Sequence, residues 1–205
     1  MLSTQQIARF ARDGYLILPG LADTALCRQI VADTRQWLAQ DRQPIEYEAD
    51  VDYPGSPASR AAEGGLTARR LLQAYSRSSL LQQWATGPAL AQPLLQLLGP
   101  GAMLAQAHHN CITTKQPPYS GATGWHRDIR YWSYRRPELI SAWLALGDET
   151  EANGCLWVIP GSQLLPIGPE RFDRRLFLSA EHPANRSLLQ QALPVPLRQG
   201  DVLLF

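Results

Sequence analysis

The sequence predicts an α+β fold, with helices first and antiparallel strands later, around a jelly-roll or barrel-like sheet core. Three observations carry this. Helical spacing with capping signals is confined to about residues 1–100, and β-type apolar runs broken by Gly, Pro, Asn and Asp fill about 101–205. The tight-turn pair Asn153-Gly154 stands between two of those runs. A length of 205 residues supports one domain with a substantial core, so a single domain over 1–205 is expected.

Ser3-Thr4-Gln5-Gln6 has the Ser-x-x-Gln form of a capping box, and Ile7 and Phe10 follow at helical spacing. Gly14 can end that helix in a left-handed conformation, after which Tyr15-Leu16-Ile17-Leu18-Pro19 reads as a short strand. Asp23 or Thr24 caps a second helix with Leu26, Ile30, Thr34, Trp37 and Leu38 along one face. Residues 41–65 carry Pro, Gly, Asp and Glu without periodicity and are expected to form a long loop. Such a loop is either a lid or substrate-facing segment or a mobile stretch of surface.

Helical pattern resumes near Thr67 and runs through Leu71-Leu72, Leu80-Leu81 and Trp84. A further helix follows Pro88, carries Leu90, Leu94, Leu95, Leu97 and Leu98, and ends at Gly99-Pro100-Gly101. The β-type runs are 103–114, 139–146 and 155–159, with Asn153-Gly154 expected to join the second and third as a hairpin. Gln199-Gly200-Asp201 reads as a turn before a strand beginning at Val202.

Composition excludes several classes. Formal charge is +1, from 19 Lys and Arg against 18 Asp and Glu, which argues against nucleic-acid binding by a basic surface. No apolar run approaches the ~20 residues that span a bilayer, and the start Met-Leu-Ser-Thr-Gln-Gln is not a secretory signal. Cys27, Cys111 and Cys155 are odd in number and widely spaced, and read as buried thiols of a reducing cytoplasm rather than a disulfide framework or zinc site. A cytoplasmic protein with neither nucleic acid nor membrane as partner is therefore expected.

His126 and Asp128 are the pair of metal-grade ligands whose spacing carries meaning. Imidazole nitrogen and carboxylate oxygen suit non-haem Fe(II), and two such groups plus a second His make a facial triad with open positions. In extended backbone, side chains at i and i+2 leave the same face, so these two would converge on one point. His108 and His109 are adjacent and cannot both face one metal from a strand. His109 shares alternation with Cys111, Thr113 and Lys115, and either lines a pocket or lies on the outer face. His182, before Pro183 in a polar stretch, reads as a loop residue. The aromatic–Arg run from Arg127 to Arg136 is either a solvated rim or a grip for an anionic substrate.

The ordered set Gly124-Trp125-His126-Arg127-Asp128, Arg130-Tyr131-Trp132, Arg136-Pro137-Glu138-Leu139, Ser141-Ala142-Trp143-Leu144-Ala145-Leu146, Asn153-Gly154-Cys155-Leu156 and Val158-Ile159-Pro160-Gly161-Ser162 resembles the phytanoyl-CoA dioxygenase-like family of Fe(II)/2-oxoglutarate oxygenases. The opening Phe10-x-x-x-Gly14-Tyr15-x-x-x-Pro19 is similar to that family as well. The resemblance implies a double-stranded β-helix (jelly-roll, cupin-like) with N-terminal helices packed outside. It implies Fe(II) as metal, 2-oxoglutarate as co-substrate, and hydroxylation of a small organic molecule. His126 and Asp128 match the proximal metal ligands, and an Asp where halogenating relatives carry a small residue favours hydroxylation.

By the same resemblance Lys115, the one lysine of the chain, approaches the co-substrate carboxylate; the alternative is a strand-end Lys reaching water. Trp143 matches a Trp lining the co-substrate pocket, and core packing beside Leu144 is equally consistent with its position. The family completes its triad with a second His after a Gly-Asp-x-x-x-Phe strand, and an Arg for 2-oxoglutarate follows. This chain reaches Gly200-Asp201-Val202-Leu203-Leu204-Phe205 without them, so a C-terminally incomplete jelly-roll is expected, with a weakened Fe(II) site and an unpaired strand edge. Either the chain is a truncated oxygenase or it is a natural short form without activity. A non-catalytic binding domain on the same fold is the second functional reading. A cupin-type isomerase or dioxygenase without 2-oxoglutarate ranks last, because His-x-His with a nearby Glu is missing.

Overall fold

The structure is a computed structural model describing residues 1–116 and 118–205, so Pro117 of the Lys115-Gln116-Pro117-Pro118 segment lies outside the described residues. In chain order the elements are α1 (Thr4–Asp13), β1 (Leu16–Leu18), α2 (Thr24–Ala39), β2 (Ile45–Tyr47), β3 (Ala68–Leu72), α3 (Ala74–Arg77), α4 (Ser79–Thr86), α5 (Pro88–Leu98), β4 (Cys111–Thr113), β5 (Ala142–Leu144), β6 (Leu156–Val158), α6 (Pro183–Leu189), β7 (Leu193–Val195) and β8 (Val202–Leu204). Helices and antiparallel strands are mixed, as an α+β class requires. No described helix is long and apolar enough to cross a membrane. The chain divides into two compact units. The first unit is Met1–Cys27, Gln92–Ala102 and Trp125–Phe205; the second is Arg28–Ala91 and Met103–Gly124.

In the first unit α1 begins as its sequence dictates. The Ser3 hydroxyl accepts from the Gln6 N–H at 3.2 Å, and the Gln6 side chain accepts from the Ser3 N–H at 2.9 Å. Gly14 ends the helix at φ 78°, donating to the Phe10 carbonyl at 2.8 Å. The main sheet has the order β1-β8-β5, antiparallel throughout, pairing Leu203 with Ile17 on one side and with Trp143 on the other. β8 is therefore interior, with β1 and β5 as the two outer strands of this sheet. Val202, Leu203 and Leu204 are fully buried. Gly200 makes the turn into β8 at φ 92°, and a Cβ there would lie 2.5 Å from the Ala22 carbonyl oxygen, so only glycine fits.

The expected hairpin across Asn153-Gly154 does not form. Gly154 takes the left-handed conformation at φ 89°, as turn chemistry demands. Yet β5 pairs with β8, and β6 pairs with β7. A bridge between Glu149 and Leu197 already commits the chain after β5 to a different partner. Local reversal was encoded; the choice of neighbour was made by burial. The cluster Ala145, Val195, Leu197 and Leu203, covered by Tyr15, Ile17, Trp143, Leu156, Val158 and Phe205, joins residues from both sheets.

The second unit holds the sheet β2-β3-β4. Two expectations change here. Residues 41–65 are not all loop, because Ile45–Tyr47 is a strand and Glu48–Asp50 a 3-10 turn. Residues 68–72 are a strand rather than a helix, with Leu71 opposite Ile45 on one side and Ile112 on the other. Ala-Arg-Arg-Leu-Leu favours helix locally, but two cross-strand partners and a fully buried Leu71 outweigh a preference of a few tenths of a kcal/mol per residue. The run 103–114 contracts to Cys111–Thr113. Arg77, buried, donates to the carbonyls of Leu72, Arg42 and Pro44 at 2.8, 3.0 and 2.5 Å, closing the ends of β2 and β3. Burial, with Arg42 nearby, pushes its guanidinium below the ordinary arginine value. Cys27, Cys111 and Cys155 are free thiols, the first and third buried.

Leu203→Ala is expected to cost about 2–5 kcal/mol in urea denaturation, because the site is closed on all sides and cannot collapse fully. A pH effect follows from Asp50, which accepts from Arg60 at 2.7 and 2.9 Å. That hydrogen bond holds its carboxyl below the ordinary aspartate value. Its stabilising contribution is present above the ordinary value and disappears as pH falls through the depressed one. Arg60→Ala should return Asp50 toward the ordinary value in an NMR titration.

Candidate functional site

His126 and Asp128 lie in the first unit, in irregular backbone rather than in a strand. Arg127 between them is extended at φ −105° and ψ 132°, and Asp128 opens a 3-10 turn, Asp128–Tyr131. One extended residue is enough to send both side chains to the same side. His126 Nε2 stands 3.2 Å from Asp128 Oδ1, with the side chains 20% and 14% exposed. Two donors held at about 2.1 Å in adjacent positions around one metal ion lie about 3 Å apart, so this spacing fits two neighbouring coordination positions. The donor types fit as well: imidazole and carboxylate suit Fe(II). Among the described residues no group of three or more His, Cys, Asp or Glu could hold a metal ion.

The surroundings fix this pair. The Trp125 carbonyl accepts from the Leu178 N–H at 2.8 Å, and the His126 ring lies 5.7 Å from that of buried Phe177, tilted by 59°. Asp173 Oδ1 accepts from the N–H groups of Arg175 and Phe177 at 2.8 Å each, holding the turn that presents Phe177. Asp128 Oδ2 accepts from the Ser141 hydroxyl at 2.5 Å. Ser141 had no distinguishing signal in the sequence, since a serine beside a strand is ordinary.

Arg127 and Arg130 of the aromatic–Arg run are engaged with backbone. Arg127 donates to the carbonyls of Ser162 and Leu165 at 2.6 and 2.8 Å, and burial pushes its guanidinium below the ordinary arginine value. Arg130 donates to the Arg175 carbonyl at 2.8 Å and stacks over Phe177 at 4.3 Å and Tyr131 at 4.6 Å. Residues 133–136 form the solvated part of the run, with Arg136 paired with exposed Glu138 at 3.4 Å. Trp143 packs on the core cluster, and its indole N–H donates to both oxygens of Glu149 at 3.0 Å. His182 caps α6, its Nδ1 accepting from the Ala184 N–H at 3.2 Å.

Lys115 and His109 belong to the second unit. Lys115 is exposed two residues beyond the end of β4. His108 and His109 precede β4 in a bend, with His108 at φ 61°. Strand alternation therefore does not apply to them, and the argument that pointed His109 toward a pocket falls. The same unit contains a buried pair that sequence reasoning missed. Glu48, 1% exposed, accepts from Arg69 Nη1 at 3.0 Å and from the Gly121 N–H at 2.9 Å. Arg69 Nη2 donates to the Thr123 hydroxyl at 2.6 Å, and the guanidinium covers the Tyr53 ring at 4.8 Å. Nothing in the spacing of Glu48, Arg69 and Thr123 marks them as partners.

The family model described as Phytanoyl-CoA dioxygenase (PhyH) matches residues 10–205. Phytanoyl-CoA dioxygenase 1 of Oryza sativa subsp. japonica is 31% identical over 91 residues, 44% of this chain and 32% of that protein. Ectoine dioxygenase of Bordetella parapertussis is 27% identical over 166 residues, 78% of this chain and 49% of that protein. The chain thus matches half or less of these relatives' own length. Among solved structures, EctD from S. alaskensis with 2-oxoglutarate and 5-hydroxyectoine aligns with a TM-score of 0.74 at 22% identity, covering 100% of this chain and 67% of that one. That likeness establishes the fold.

Removing one member of the buried pair leaves the other charge desolvated. Arg69→Met is expected to cost about 3–5 kcal/mol in chemical denaturation, with hydrogen exchange rising first at Gly121 and Thr123.

Proposed function

This chain belongs to the phytanoyl-CoA dioxygenase family, and from that membership we propose an Fe(II)- and 2-oxoglutarate-dependent oxygenase that hydroxylates a small organic substrate on a double-stranded β-helix core. The observation that carries the proposal is the convergence of His126 Nε2 and Asp128 Oδ1 at 3.2 Å. With metal bound, Fe(II) and 2-oxoglutarate use one oxygen molecule to give succinate and carbon dioxide, the second oxygen atom entering the substrate as a hydroxyl. The chain's own residues hold that chemistry in place. His126 supplies a nitrogen and Asp128 an oxygen, while Phe177 and Ser141 keep the two side chains from turning away.

Lys115 is assigned to the co-substrate carboxylate, because an ammonium point charge suits it and the family pattern places a lysine there. Trp143 is assigned beside the co-substrate by the same pattern, and its Glu149 hydrogen bond and core packing supply a rigid base. His109 receives no role, since the alternation that favoured it is missing. The substrate is a small molecule of the kind the relatives' names indicate, an acyl-CoA thioester or a compact zwitterion such as ectoine.

The protein is expected to bind Fe(II) anaerobically and to release succinate from 2-oxoglutarate, followed by mass spectrometry with phytanoyl-CoA and ectoine as trial substrates. His126→Ala and Asp128→Ala should each lower succinate release by more than about a hundredfold. Lys115→Ala should raise the KM for 2-oxoglutarate while leaving Fe(II) affinity unchanged. Protein that binds neither Fe(II) nor 2-oxoglutarate would falsify the reading.

A further inference from the structure

The two oxygens of Asp128 are not equivalent. Oδ1 faces His126 Nε2 at 3.2 Å, whereas Oδ2 takes the Ser141 hydroxyl at 2.5 Å. A serine hydroxyl has one hydrogen to give, and a carboxylate is acceptor-only, so the direction of this bond is set. Charge-assisted O–H···O⁻ bonds of this length are among the stronger hydrogen bonds.

Ser141 is itself held in place. Its N–H donates to the Phe205 carbonyl at 2.8 Å, and its carbonyl accepts from the Phe205 N–H at 3.1 Å. These two bonds continue the β5–β8 ladder by one residue pair, and Phe205 packs against the core cluster. The hydroxyl is thus delivered to Asp128 by the rigid edge of the main sheet, although Asp128 sits in irregular chain. A free carboxylate at that position could rotate about its side-chain bonds and either chelate through both oxygens or turn from His126. Ser141 removes that freedom.

We propose that Ser141 is a positioning residue that ties down Oδ2 of Asp128 and reserves Oδ1 as a single-oxygen ligand beside His126. This rests on the metal-binding role of His126 and Asp128 given above and adds a residue that the family pattern did not assign. Ser141 touches neither metal nor substrate in this account and acts only through Asp128.

Cobalt(II) is the probe, because it suits the same donors and its visible absorption reports ligand geometry. The unmodified chain, Ser141→Ala, Ser141→Thr, His126→Ala and Asp128→Ala are titrated with Co(II) alone, and metal-free circular dichroism checks the fold of each. Ser141→Ala should bind about 10–100-fold more weakly with a changed Co(II) spectrum, while Ser141→Thr, which keeps the hydroxyl, stays close to the unmodified chain. If Ser141→Ala does not fold, Ser141→Gly, which also removes the hydroxyl, should give the same loss. Unchanged affinity and spectrum in Ser141→Ala, or equal losses in the Ala and Thr variants, overturn the role of the hydroxyl and leave the metal reading standing. Co(II) binding that is absent in the unmodified chain, or indifferent to His126→Ala and Asp128→Ala, overturns both together.

Discussion

Strand β8 is hydrogen-bonded on both sides, and none of its three side chains reaches water. The first unit is organised around that constraint. A buried strand must pair every backbone N–H and C=O, and here β1 and β5 do so from its two sides. The pairing requires a sharp entry turn, which Gly200 makes where its missing Cβ lets the Ala22 carbonyl approach. Asp201 reinforces that turn, accepting from the Gly20 N–H at 2.8 Å and the Arg198 N–H at 2.9 Å. Leu203 then anchors the cluster that gathers Val195, Leu197 and Ala145.

From this sheet the pair His126 and Asp128 obtains its order indirectly. Neither His126 nor Asp128 lies on a strand, and an irregular segment alone would leave two side chains with several rotamers each. Two supports limit them, Phe177 against the imidazole and Ser141 against the carboxylate. Arg127 and Arg130 restrain the opposing chain by donating to carbonyls of Ser162, Leu165 and Arg175. Guanidinium groups serve well here, since one planar fork satisfies several backbone acceptors that burial would otherwise leave unpaired.

The second unit meets a different problem. Burying Glu48 and Arg69 together loses hydration worth several kcal/mol per ion, and their mutual attraction recovers it only with further hydrogen bonds. Gly121 and Thr123 provide those bonds. The pair thus ties the Gly121–Thr123 backbone to Arg69 of β3.

Residue chemistry alone determined the local features: the capping box of α1, the left-handed glycines at 14, 154 and 200, and the proximity of His126 and Asp128. Each involves atoms a few residues apart, so covalent geometry nearly decides the outcome. Strand partners were another matter. Helix-favouring Ala68–Leu72 became β3, and the turn at Gly154 joined no hairpin, because pairing is chosen by apolar surface far away in sequence. Ser141 on Asp128 and Arg69 on Glu48 belong to the same class, joining positions 13 and 21 apart. The sequence by itself singled out His126 and Asp128 as candidate metal ligands. Only the tertiary structure decided what holds them still, since a side chain's orientation depends on neighbours that folding brings.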